Sequence, residues 1–71
     1  MNKPNPKREV AIRLYYPTLM IIDFYATEDA ATEFREFGQL ERDPMYTNGW
    51  HLIIDSRFDF EEVLRYIENY G

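Results

Sequence analysis

Between Val10 and Leu14 the chain alternates, with Val10, Ile12 and Leu14 set against Ala11, Arg13 and Tyr15, the period of a half-buried strand. Pro17-Thr18 interrupts the run. Leu19 to Ala26 then reads as a second strand, close enough behind the first to predict an antiparallel hairpin. Proline suits turn types I and II whereas tight hairpins take the primed types, so the turn is expected to draw in Tyr15 or Tyr16.

The spacing changes after Ala26. Thr27 is a capping residue, Glu28 and Asp29 suit the positive end of a helix dipole, and Ala30, Ala31, Phe34 and Phe37 share one face. A first helix is therefore predicted over Glu28 to Phe37, with Gly38 as its stop. Gln39 to Asn48 reads as a long connection containing the turn dipeptides Asp43-Pro44 and Asn48-Gly49. A type I′ turn at the second dipeptide pairs Met45 to Thr47 with the next strand as a short fourth edge strand.

The last third carries the clearest signals. Trp50 to Asp55 is a strand, and Phe60 to Asn69 is a helix whose start is marked several times over. Asp59 stands where a cap belongs, Glu62 completes an acidic capping box, and Phe58 and Val63 are spaced as a hydrophobic staple. Phe60, Val63, Leu64 and Ile67 line one side of this helix, while Glu61, Glu62, Arg65 and Glu68 line the other. Gly71 follows as a residue able to close it.

These elements define a single α+β domain over residues 9–71, in the order strand, strand, helix, strand, helix, preceded by a flexible leader over residues 1–8 that holds two prolines. The expected fold is a three-stranded, mainly antiparallel sheet with two helices on one face and the short fourth edge strand beside it. A right-handed crossover from the Leu19 strand through the first helix to the Trp50 strand leaves the first strand between them, giving the sheet order 2-1-3.

Parity then separates the two faces. The even positions Val10, Ile12, Leu14, Met20, Ile22, Phe24, Trp50, Leu52 and Ile54 are apolar and are assigned to the core beneath the helices. The odd positions mix charge with aromatic and aliphatic groups, and no third helix is available to cover them. Arg13, Tyr15, Ile21, Asp23, Tyr25, His51 and Ile53 are accordingly the candidate partner-binding residues. The plainer alternative is a solvated face stitched by cross-strand pairs such as Arg13 with Asp23.

Composition narrows the function classes. The 71 residues include no cysteine, which excludes a disulfide framework and thiolate metal ligation and suits a cytoplasmic location. The longest apolar run, Leu19 to Ile22, is far shorter than the roughly 20 residues of a membrane span. The net charge is −5: residues 1–18 carry +3, so the remainder carries −8. An acidic body of this kind repels nucleic-acid phosphates and anionic lipid, so neither direct nucleic acid binding nor membrane binding is expected. Six tyrosines in so small a chain exceed what its core can bury, and tyrosines left outside often mark contact surfaces.

Catalytic patterns are sparse. His51 shares the odd face with Asp23 and Asp55, the arrangement of a carboxylate-oriented general base, and is the basis of a small-enzyme alternative. Ser56, the single serine, lacks a nucleophile elbow. Gly38, Gly49 and Gly71 stand too far apart to cradle a phosphate, and neither zinc nor calcium ligand spacing occurs, so no cofactor, metal or catalytic residue is assigned. The acidic helix faces offer a further alternative, imitation of a phosphate line that inhibits a DNA- or RNA-binding protein. Arg35, Arg42, Arg57 and Arg65 interrupt that line. The expectation is a non-catalytic protein-interaction or regulatory domain, self-associating as a homodimer or docking another protein chain through the open sheet face.

Overall fold

The computed structural model describes residues 10–70. The leader expected over residues 1–8 and the closing role of Gly71 lie outside them. Strand β1, Val10–Tyr16, turns through a single 3-10 turn, Pro17–Leu19, into β2, Ile21–Ala26. Met20 makes the reversal: it takes a left-handed conformation, φ 60°, and its N–H donates to the Pro17 carbonyl at 3.1 Å. The second strand accordingly starts at Ile21 rather than at Leu19.

Helix α1, Glu28–Thr32, is capped as the sequence predicts, with the Thr27 hydroxyl accepting from the Ala30 N–H at 3.3 Å. It is shorter than the predicted Glu28 to Phe37. After Thr32 the hydrogen bonds tighten to three-residue steps and a 3-10 turn, Arg35–Phe37, follows. The Phe37 carbonyl accepts from the Asp55 N–H at 2.8 Å, and the chain leaves as strand β3, Gly38–Arg42. Strand β4, Gly49–Ile54, and helix α2, Phe60–Glu68, complete the described chain.

The sheet has four strands in the order β1-β2-β4-β3, and every neighbouring pair is antiparallel. This corrects three expectations. The fourth strand is Gly38–Arg42, and Met45 to Thr47 lies in the β3–β4 turn instead. No parallel crossover forms, because β4 returns from the β3 hairpin to pair with β2 from the other direction. The order 2-1-3 fails with it: β2, not β1, is the inner neighbour of the Trp50 strand.

Both helices lie on one face. Ile22, Phe24, Ala26, Trp50, Leu52 and Ile54 of the sheet form a single buried cluster with Ala30, Ala31 and Phe34 from the α1 segment and Phe60, Val63 and Ile67 from α2. Phe24 meets Phe34 edge-on at 5.4 Å, and the buried Trp50 indole N–H donates to the Ala26 carbonyl at 2.9 Å. Phe34, Phe37, Tyr66 and Tyr70 continue the packing as edge-on ring contacts between the α1 segment and α2.

The β1 register contains a bulge. Ile12 faces Phe24, yet Leu14 faces Asp23, so Arg13 is the extra residue and parity inverts beyond it. Tyr15 faces Ile22, lies on the helix side and approaches Phe60 at 6.2 Å; it is not on the open face where alternation placed it. Leu14 and Tyr16 take the open side in its place, opposite Asp23 and Ile21. Leu14, assigned to the core by parity, is 45% exposed.

Candidate functional site

The face of the sheet away from the helices is built from three cross-strand rows. Tyr16, Ile21, Ile53 and Gln39 stand side by side across β1, β2, β4 and β3 in one row. Leu14, Asp23, His51 and Glu41 form the next, and Ala11, Tyr25 and Gly49 the third. Of the seven residues the sequence nominates, six share this face; Tyr15 is the exception.

Asp23 is the centre of the middle row. It is only 6% exposed, and its two carboxylate oxygens have separate partners: Arg13 Nη2 donates to Oδ2 at 2.9 Å, and His51 Nδ1 lies 2.6 Å from Oδ1. A buried carboxylate is stable only when its oxygens are satisfied, and here a guanidinium and an imidazole do so. Among the described residues no buried side-chain nitrogen or oxygen lacks a partner. The bulge brings Arg13 to this position, and the same Nη2 also reaches Asp43 Oδ2 at 3.4 Å.

Asp43 belongs to a turn that folds over one end of the face. Its Oδ1 accepts from the Met45 N–H at 2.9 Å, its N–H donates to the Gly49 carbonyl, and Asn48 takes φ 59° to close the reversal. Tyr46 then lies against two of the nominated residues, edge-on to Tyr25 at 5.8 Å and 4.6 Å from the Arg13 guanidinium carbon. Tyr25 is therefore half-covered from within the chain. Tyr46 and Asp43 are participants that sequence reasoning missed, as are Leu14, Tyr16 and Glu41; the Asp43-Pro44 dipeptide signals the turn, and nothing in the alternation signals where it folds.

The opposite end has no such cover among the described residues. Tyr16 is 40% exposed, Ile21 and Ile53 are partly open, and Leu14 stands in the adjoining row. Past Ile53 the row continues into a shallow groove of about 450 Å³ lined by Gly38, Gln39, Asp55, Arg35 and Arg57. The face thus runs from a closed tyrosine-capped end, across a fixed charged centre, to an open apolar end.

The chemistry available to His51 follows from its neighbours. Its Nδ1 is engaged by Asp23, and it borders a hollow of about 220 Å³ with Glu41, Arg42, Asp43 and Pro44. That lining holds carboxylates and a guanidinium, with no hydroxyl or thiol. Asp55 is not part of this centre: it lies beyond β4, where Oδ1 accepts from the Arg57 N–H at 3.1 Å. Among the described residues no three His, Asp or Glu side chains gather as a metal site, and no helix is long and apolar enough to cross a membrane.

On the helical side two of the acids have an arginine partner. Arg42 Nη2 reaches Glu28 Oε1 at 3.5 Å and also stacks 4.5 Å over the Trp50 ring, and Arg65 Nη2 lies 3.8 Å from Glu61 Oε1 one turn away. Compared with protein-family models, with curated proteins and with solved structures, the chain finds no match.

Proposed function

We propose that this chain is a non-catalytic protein-contact domain that takes another protein chain on the open face of its sheet. The observation that carries the reading is the row Tyr16, Ile21 and Ile53: three large side chains adjacent across three strands, the first exposed and the other two partly open among the described residues, at the edge of a centre whose charges are already fixed. Removing such side chains from water on contact contributes about 1.5–3 kcal/mol each before ordering costs. Arg13, Asp23 and His51 are held by one another, so their ordering cost is met on folding, and they set orientation rather than affinity.

The test replaces Ile21 and Ile53 together by Lys. The expected product is a folded protein that loses its protein partner, because both side chains point away from the core. The same change at Ile22 and Leu52, which are wholly buried, is expected to unfold the domain. A folded Ile21→Lys/Ile53→Lys variant that retains every partner of the wild type contradicts the proposal.

A further inference from the structure

Among the described residues two strands of this sheet have a free edge, and they are not alike. β3 is short and polar along its rim: Gln39 Nε2 donates to Glu41 Oε2 at 2.7 Å, and Arg42 is held over Trp50. Charged and polar side chains of this kind discourage another strand from adding to an edge. β1 has the opposite character. Leu14, Tyr15 and Tyr16 are consecutive and 45%, 51% and 40% exposed, and Leu19 in the following turn is 63% exposed. Four of the seven exposed large apolar side chains among the described residues therefore lie within six positions of one corner.

The backbone along this corner is also without a second neighbour. β1 is the terminal strand, and no backbone hydrogen bond outside the strand ladder involves residues 10–16 among those described. Unpaired strand edges carrying consecutive apolar side chains are templates for strand addition. The usable window is bounded on both sides: the bulge at Arg13 breaks the regular ladder before Leu14, and Pro17 has no N–H to donate beyond Tyr16.

We propose that a second copy of this chain occupies that edge, the two β1 strands pairing antiparallel about a twofold axis at Tyr15. Pairing equal windows in opposite directions puts Tyr15 against its own counterpart on the helix side, and Leu14 against Tyr16 of the other copy on the open side. Each contact is then between apolar or aromatic side chains, the cross-strand pairs that favour sheet formation. Two bodies of charge −5 repel on approach, and of the two edges β1 opposes a second copy least: Val10–Tyr16 contains no acid whereas β3 carries Glu41, and the one charge of β1, Arg13, is already paired with Asp23 and Asp43. The contact joins two four-stranded sheets into one of eight strands. It goes beyond the open-face proposal and shares Tyr16 alone with the row that carries it, because it is made by an edge rather than a face.

A seam of three residues is small beside a standard interface of about 800 Å² per partner, so the dimer belongs to the weak, concentration-dependent class. Sedimentation across a concentration series is expected to give a monomer–dimer equilibrium. Tyr15→Lys, which sets like charges face to face on the axis, is expected to raise the dissociation constant by about tenfold or more. Tyr16→Lys, on the other side of the same strand, is expected to act in the same direction, and Ile53→Lys, two strands in from the edge, to leave the equilibrium unchanged. The absence of cysteine permits a probe that does not depend on destabilising anything. Oxidised Tyr15→Cys is expected to give a covalent dimer, since directly opposed positions fall near disulfide reach, and Ile53→Cys is expected to give none. A chain that stays monomeric up to its solubility limit, a dimer indifferent to Tyr15→Lys, or one dissolved by Ile53→Lys overturns the edge pairing. The last of these outcomes assigns self-association to the open face; a strict monomer that still loses another partner on Ile21→Lys/Ile53→Lys leaves the open-face proposal standing.

Discussion

Asp23 is the residue on which the open face turns. Its burial is tolerated because Arg13 and His51 satisfy separate oxygens, so removing the carboxylate leaves two polar partners without their shared acceptor. Asp23→Ala is expected to cost about 1–3 kcal/mol in denaturant unfolding. His51→Gln keeps a donor for Asp23 and is expected to cost less, with protein binding largely retained; a larger loss from His51→Gln than from Asp23→Ala contradicts the assignment of Asp23 as the hub. Strand parity puts Arg13, Asp23 and His51 on one face, but the expected order 2-1-3 separates the strands of Asp23 and His51, so their direct pairing is legible only once β2 and β4 are neighbours. Parity misplaces Tyr15. A bulge needs no glycine or proline to form, and Arg13 carries no local mark of being its extra residue. What the bulge gains becomes visible only with the Asp23 and Asp43 carboxylates both in place at Arg13 Nη2.

At the scale of elements, the well-marked boundaries are those with side-chain chemistry at their ends. Asp59 Oδ2 accepts from the Glu62 N–H at 3.1 Å, as the start signal of α2 predicts, and Asp59→Ala is expected to lower stability by about 0.5–2 kcal/mol, read as a shift of the denaturant midpoint. No shift would mean that the cap is without consequence. β3 escaped detection because Gln39-Leu40-Glu41 alternates around a single large apolar residue, too little to define a period, while Ala30, Ala31, Phe34 and Phe37 keep helical spacing through a segment that tightens into a 3-10 turn. Gly38, read as a helix stop, has a different physical role. A Cβ built there overlaps the Ile53 carbonyl oxygen, so glycine is required for β3 to lie against β4. Gly38→Ala is accordingly expected to destabilise the domain by about 1–3 kcal/mol, with a neutral change in thermal unfolding counting against that close approach.

For the whole molecule, two helices on one side of a four-stranded sheet leave a face and two strand edges uncovered among the described residues. The sequence conveyed the two-sided character of the sheet and the composition of each side except at the end of β1, where the bulge moves Leu14 and Tyr16 to the open face and Tyr15 off it. Strand order was beyond it. Whether β4 pairs with β1 or with β2 depends on a hairpin from β3, which the alternation did not reveal. The turn from Asp43 to Asn48 then divides the open face, covering Tyr25 with Tyr46 and leaving Tyr16 exposed and Ile21 and Ile53 partly open. The proposed function rests on that asymmetry. Hydroxyl-radical labelling of the folded chain, alone and in extract from its own cells, tests it most directly: Tyr16, Ile21 and Ile53 are expected to lose reactivity in extract while the exposed Tyr66 on α2 keeps its own, and unchanged labelling of the row, or protection confined to Tyr66, would contradict the claim that a protein chain docks on the open face.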